Sequence, residues 1–270
     1  MKVDDLEMTR FFESVYRRFH YDFRSYARAS VSRRVGLARL EFRCSSLSQL
    51  DALLEREPEK FSRLLQVLTV PVSELFRDPS YYKVLREQIV PVLHTYPSIR
   101  IWVAGCSTGE EVYSLAIVLR EEGLLERSLI YATDINPDAL RKAQAGVYAL
   151  DRIPGFTENH RRAGGKCSLS EYYTAAYGSV MFDRSLVQRT VFSDHSLSTD
   201  NVFAEVQLIS CRNVLIYFDR TLQDRALGLF KDSLCRRGFL GLGTKETVRL
   251  SSHAGSFTEY PQKVGWYQRC

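Results

Sequence analysis

Long hydrophobic runs are missing from this 270-residue chain. None approaches the roughly 18 apolar residues that a membrane-spanning helix requires, so no membrane insertion is expected. The opening, MKVDDLEMTRFFESVYRRFHYDF, places acids where a secretory leader needs a basic stretch, so no targeting segment is expected and the location predicted is cytoplasmic. No CxxC pair occurs among the six cysteines, Cys44, Cys106, Cys167, Cys211, Cys235 and Cys270. That absence argues against metal binding and disulfides and predicts reduced, mostly buried thiols. Internal repeats and low-complexity tracts are absent as well.

What is present suits one large globular domain plus a smaller one: 31.1 kDa with 45% hydrophobic residues. The net charge of +5 is mild but uneven. Arginines crowd the segment 10–43, including Arg24, Arg28, Arg33 and Arg34, against only Glu13, Asp22 and Glu41. Such a basic surface is either a solvated helical face or a docking site for an acidic partner.

Residues 1–92 read as helical. Phe11, Phe12, Val15, Tyr16 and Phe19 recur at helical spacing, Ser48 is placed to cap a helix carrying Leu50, Leu53 and Leu54, and Pro58 suits a first turn before Phe61, Leu64, Leu65 and Leu68. Asp78 and Pro79 open a further helix to about Val90. From residue 93 to 270 the pattern changes. Apolar strands (IRIWVAG, SLIYATD, VQLISC, RRGFLGLG) alternate with helices over 112–122, 137–145 and 220–235, which predicts an α/β domain with a mostly parallel sheet. Between the second of these helices and the strand RTVFSD lie about forty residues rich in Gly, Ser and Tyr, too long for an ordinary connection. They predict an inserted hairpin or small subdomain over about 151–188.

The stretch WVAGCSTGEEVYSLA, residues 102–116, reads as a strand, a glycine-containing turn and a helix start. Such turns bring backbone N–H groups against nucleotides. Yet the Walker GK[ST] and the third glycine of the dinucleotide fingerprint are both missing, and Glu110 and Glu111 would repel a pyrophosphate. A cationic or neutral nucleoside fits better, and S-adenosylmethionine, with a sulfonium and a ribose but no phosphate, has that chemistry. Asp134 ends the second strand, where an acid reaches ribose hydroxyls. The alternative is structural: the two glutamates stabilise a helix N-terminus and Asp134 caps the next helix.

A third constellation is LISCRNVLIYFDR, residues 208–220, which sets Arg212 and Asn213 at the carboxyl edge of the sheet, where ligands of open α/β sheets bind. The Asn/Asp-Pro-Pro-Tyr/Phe tetrad of base-amine methyltransferases is absent there, so nucleic acid is not the expected substrate.

Taken in order, SELFRDPSYY, RIWVAGCSTGEEVYSLA, ATDINPDALRKAQAGVY, VFSDHSL and LISCRNVLIYFDRTLQDRALGLFKDSL resemble the consecutive signatures of the chemotaxis receptor methyltransferase (CheR) family, over essentially the whole chain. The resemblance implies an all-α N-terminal domain, a class I S-adenosylmethionine-dependent methyltransferase domain with a seven-stranded, mostly parallel sheet, and a small antiparallel β insert. It implies methyl transfer to receptor glutamate side chains, giving γ-carboxyl methyl esters, with S-adenosylhomocysteine as product.

Carried over by motif, Arg77 matches the arginine facing the cofactor from the N-terminal side and Ser73 a preceding hydroxyl position, usually threonine. Gly105 lies in the cofactor turn. Glu111 matches the glutamate contacting the methionyl or ribose part, with Glu110 beside it, and Asp134 matches the ribose ligand. Ser196 and Leu197 fall where the family has Asn-Leu beside the adenine. Cys211 and Arg212 match cofactor neighbours, and Tyr217 the tyrosine near the transferred methyl. The family's Gly-His-Ser-Glu appears as Gly243 to Glu246, GTKE, so histidine-dependent detail is not carried over.

A glutamate is ionised at neutral pH, its ordinary pKa being about 4.3, so attack on a sulfonium methyl needs no general base. Arg77 is expected to steer the substrate and Tyr217 to hold one of its oxygens. The plain alternatives are a surface pairing of Arg77 with Asp78 or Glu74 and a core role for Tyr217. Some family members dock on a peptide at the receptor C-terminus, but the turn RRAGGKCSLS (161–170) is short for that, so the arginine-rich helices, through Arg24, Arg28, Arg33 and Arg34, are expected to meet the methylation region of the receptor signalling domain directly. A monomer is expected. A CheR-like enzyme acting on a non-chemotaxis protein, or a module that only senses the cofactor, would share the same cofactor motifs.

Overall fold

The computed structural model describes residues 5–69, 73–261 and 263–270. Four helices open the chain: α1 (Asp5–Phe19), α2 (Arg28–Glu41), α3 (Leu47–Arg56) and α4 (Phe61–Leu68). Met8, Phe11, Phe12 and Val15 form one stripe of α1 and bury it against Val31, Val35 and Ala38 of α2, Leu50 and Leu54 of α3, and Leu64, Leu65 and Leu68 of α4. This cluster is a core separate from those of the sheet. The cap of α3 is Ser46, not Ser48: Ser46 is extended, and its Oγ accepts the Gln49 N–H at 3.1 Å.

Two short helices, α5 (Pro79–Val84) and α6 (Val90–Leu93), follow, joined by a π-helical turn over Leu85–Ile89. Their apolar side chains, from Tyr81 to Leu93, belong to the core of the sheet. Asp78 precedes them in a left-handed conformation, φ 56°, and does not cap the helix.

The large sheet contains β1 (Ile99–Ala104), β2 (Ser128–Asp134), β6 (Thr190–Asp194), β7 (Val206–Cys211), β8 (Leu234–Leu242), β9 (Phe257–Glu259) and β10 (Trp266–Arg269) in the order β6-β2-β1-β7-β8-β10-β9. Pairing is parallel from β6 to β8, and β10 runs antiparallel between β8 and β9. In β1 all residues but Arg100 are buried, as a strand covered on both faces requires. Helix α7 (Glu110–Glu121) links β1 to β2, α8 (Pro137–Ala145) follows β2, and α10 (Arg220–Ser233) links β7 to β8.

Between α8 and β6 sits a small antiparallel sheet of β3 (Val147–Ala149), β4 (Tyr173–Ala176) and β5 (Ser179–Phe182), ordered β3-β5-β4, with α9 (Ile153–Arg162) beside it. No described helix is long and apolar enough to cross a membrane. The six cysteines are free thiols, but only Cys106 and Cys211 are buried; Cys167 and Cys270 are exposed, because they lie in loop and terminal positions outside the strand runs.

Candidate active site

The chain leaves β1 for β2 on one side and returns to β7 on the other, so the carboxyl ends of β1, β2 and β7 diverge around a crevice. A cavity of about 320 Å³ occupies it, roofed by the helical domain through Tyr26, Ser30, Val31, Arg34, Leu68 and Thr69. Ser73, Arg77, Gly105, Glu111, Asp134, Leu197, Arg212 and Tyr217 all line this cavity, although they come from five separated segments. Glu110, Ser196 and Cys211 do not line it.

The turn after β1 is held by main-chain bonds: the N–H groups of Gly105 and Cys106 both donate to the Thr133 carbonyl at 2.8 Å. Gly105 has φ 73°, and a Cβ there would lie 2.4 Å from Cγ2 of Val214, so this glycine lets the two crevice walls approach. Asp134 accepts the N–H groups of Ser107 at 2.8 Å and Asn136 at 2.9 Å. Burial pushes its carboxyl pKa up, while these amide bonds pull it down. With the Ile135 N–H contributing as well, the carboxylate still keeps acceptor capacity for a donor from the cavity. Asn136, buried, performs the capping that Asp134 does not: its side chain accepts from Asp138 and Ala139 and donates to Thr69 Oγ1 across the domain boundary at 2.9 Å.

Glu110 and Glu111 diverge at the helix start. Glu110 is fully buried, paired with Arg152 at 2.7 Å and accepting the Thr108 hydroxyl at 2.6 Å. Glu111 turns to the cavity, where it accepts from Ser210 Oγ and lies 3.4 Å from the Arg212 guanidinium. Arg212, its side chain 1% exposed, also pairs with Asp78 at 2.8 Å, donates to the Arg77 carbonyl at 2.7 Å and lies over the Tyr81 ring, 4.1 Å from its centroid. Asp78 is therefore committed to Arg212. Among the described residues no carboxylate pairs with the Arg77 guanidinium.

Ser196 bonds through its hydroxyl to Ser198 at 2.8 Å. Cys211 is fully buried on β7, where burial pushes its thiol pKa well up, as it does for Cys106. Both remain neutral thiols, unsuited to nucleophilic work. The basic helical face is also rearranged relative to expectation. Arg24 is committed to Asp22 and Glu13 and stacks on Tyr16, and Arg28 donates to Thr9. Arg34 turns inward, reaching the Val67 carbonyl and lining the cavity.

Several lining residues carry no motif of their own in the sequence. Tyr26 and Thr69 reach the crevice only through the docking of the helical domain, for which a single sequence carries no signal. Ser107 and His195 sit beside singled-out residues, and adjacency was the available clue.

The two lining carboxylates, Asp134 and Glu111, suit a nucleoside with donor groups and a positive charge on their side of the cavity; of the three lining arginines, Arg212 is already paired with Asp78 and Glu111, which leaves Arg34 and Arg77 as the cations facing the opening. Among the described residues, the buried Ser107 Oγ and Arg212 Nε have no hydrogen-bond partner in the protein, although both residues line the cavity.

The family described as "CheR methyltransferase, SAM binding domain" matches residues 71–265, and "CheR methyltransferase, all-alpha domain" matches 6–69. A Pseudomonas putida protein named "Putative methyltransferase Cher3" is 53% identical, over 96% of each chain. "Chemotaxis protein methyltransferase 2" of Pseudomonas aeruginosa is 31% identical over 83% of this chain and 78% of its own. "Chemotaxis protein methyltransferase" of Listeria innocua is 29% identical over 92% and 91%. This chain belongs to the CheR methyltransferase family, its helical domain joined to a domain whose cofactor is S-adenosylmethionine.

Proposed function

We propose that the protein transfers the methyl group of S-adenosylmethionine to glutamate side-chain carboxylates of chemoreceptors, forming γ-methyl esters. The observation that carries this reading is the polarity of the cavity: carboxylates Asp134 and Glu111 on the nucleoside side, and on the other the arginine Arg77 with no carboxylate partner among the described residues, together with Tyr217. The names of the relatives in chemotaxis support the substrate class.

When bound, the cofactor supplies an electrophilic methyl group on a sulfonium. The residues of the chain do the rest by placement. Asp134 and Glu111 hold the nucleoside and favour its positive charge. Arg77 draws the incoming carboxylate and partly offsets its desolvation, and the Tyr217 hydroxyl donates to one oxygen, leaving the other in line with the methyl. No proton has to be removed, because the substrate carboxylate is already ionised.

Receptor recognition falls to the exposed face of α2. Arg33, Leu37 and Leu40 lie at helical spacing there; Leu37 is 49% and Leu40 77% exposed, and Arg33 has no ion pair among the described residues. Such a basic and apolar strip suits an acidic receptor helix. The screening length falls from about 10 Å at 0.1 M salt to about 3 Å at 1 M, so methylation should fall with salt, and Arg33→Glu should slow it. Tail-deleted receptors should be methylated near normally. Incubating receptor-containing membranes with tritiated cofactor and releasing base-labile methanol tests the reaction. Absence of base-labile label, with label on another protein, would show that the substrate class is different.

A further inference from the structure

We infer that Glu246 is a positioning residue for methyl transfer, holding the main chain of residues 213–217 so that Tyr217 faces the substrate. After β7 the chain passes through Asn213, in the left-handed region at φ 60°, into a single 3-10 turn over Leu215–Tyr217, whose own bond from the Tyr217 N–H to the Val214 carbonyl leaves the preceding amides without a strand partner among the described residues. Buried amides need acceptors. Glu246, 8% exposed, provides them: Oε2 accepts the N–H of Asn213 at 2.8 Å and of Gly243 at 2.7 Å, and Oε1 accepts that of Ile216 at 3.2 Å, with Leu215 N–H contributing as well. Among the described residues no cation pairs with this carboxylate, so the amides alone offset its charge.

A steric observation accompanies these bonds. A Cβ on Gly243 would lie 2.8 Å from Glu246 Oε2 and 2.9 Å from the Asn213 N, so the site has been cleared for this arrangement. Gly243 does not have a left-handed φ, hence the requirement is steric. The far side of the segment is fixed by the helical domain: Ala27 N–H donates to the Tyr217 carbonyl at 2.8 Å and Asp219 N–H to the Ser25 carbonyl at 2.9 Å. Tyr217 thus hangs between Glu246 and the helical roof. Arg212 and the nucleoside carboxylates are held by other groups, namely Asp78, Ser210 and the amides of Ser107 and Asn136. Disturbing Glu246 should therefore affect turnover more than cofactor affinity.

Glutamine at 246 is not equivalent, because both oxygens accept N–H groups and either orientation of the amide sets an NH2 against a donor. The inference rests on the placement of Tyr217 against the substrate, so Tyr217→Phe is measured alongside. Wild type, Glu246→Gln, Gly243→Ala and Tyr217→Phe are compared for S-adenosylhomocysteine affinity by calorimetry and for kcat with receptor-containing membranes, after melting curves. Glu246→Gln and Gly243→Ala should each lose at least tenfold in kcat while cofactor affinity stays within about threefold. Full turnover in both variants, losses of affinity equal to those of turnover, or melting of both below the assay temperature would overturn the inference and leave Glu246 a fold-stabilising group. If Tyr217→Phe is silent while the other two show the split, the positioning of the segment stands and the reading of Tyr217 falls.

Discussion

Helix α7 carries the dipeptide Glu-Glu at both ends, and the two pairs have opposite fates. At the N-terminus the helix dipole favours negative charge. Glu110 is closed off by Arg152 and Thr108, while Glu111 keeps an open side to the cavity. At the C-terminus the dipole opposes Glu121 and Glu122, and cations gather there instead. Glu121 receives Arg86, His160 Nε2 at 3.0 Å, Tyr172 OH at 3.1 Å and the Lys166 N–H at 3.1 Å, and Glu122 receives Arg86 at 2.9 Å and Lys166 at 2.7 Å. That cluster fastens α7 to α9, to the π turn and to the loop leading to β4. The lesson is one of spare capacity: a buried carboxylate with every lone pair taken holds the fold, and one with acceptors left over at a cavity holds a ligand.

The largest effect is expected at the saturated end. Arg86→Ala takes away the guanidinium shared by Glu121 and Glu122, leaving Glu121 with only His160, Tyr172 and the Lys166 N–H, and should cost up to about 3–5 kcal/mol of stability, read by denaturant unfolding, with turnover of the folded protein at low temperature nearly unchanged. The same end has a pH signature. Burial alone would raise the Glu121 pKa, but the hydrogen bond from His160 and the charge of Arg86 outweigh it and hold it down at about 2. A depressed folded-state pKa means that the contribution is complete above about pH 4.5 and is lost as pH falls toward 2. Stability of Glu121→Gln should consequently depend less on pH in that window than stability of the wild type.

At the cavity end the effects should appear in binding. With Asp134 as the proposed ribose ligand, Asp134→Ala removes at least one charge-assisted bond worth about 1.5–3 kcal/mol, so S-adenosylhomocysteine should bind at least roughly tenfold to a hundredfold more weakly by calorimetry. Unchanged affinity in a folded variant would sink the nucleoside assignment. On the substrate side, Arg77→Ala should lower methyl transfer by at least tenfold at saturating cofactor, and Tyr217→Phe by a smaller factor, both by initial rates. Full turnover of Arg77→Ala would reduce that arginine to a surface cation.

Much of the scaffold was readable because the central strands are continuous apolar runs with both faces covered. SLIYATD and VQLISC coincide with β2 and β7, and the helix expected over 137–145 is α8. Local chemistry was less secure. Ser46 and Ser48 are equally good caps by type, and backbone dihedrals selected the first. Thiol burial is less general than the sequence predicts, because only Cys106 and Cys211 lie at strand ends inside the core. Arg34 looked like one more surface arginine, since charge density along a helix does not say which side chain turns under the domain boundary.

Hydrophobic period and residue type act over a few neighbours, and they are enough for the two-part architecture, the order of the strand runs and the acidic turn that suits a nucleoside without phosphate. Which of Glu110 and Glu111 faces the cavity, the service of Asp78 to Arg212 in place of a helix cap, and the entry of Tyr26 and Thr69 into the site come from the packing of distant segments. That packing also brings Glu246 to the amides of residues 213–216, some thirty positions back along the chain. Those outcomes depend on distances between segments far apart in sequence, where the burial of one charge dictates the partner of the next.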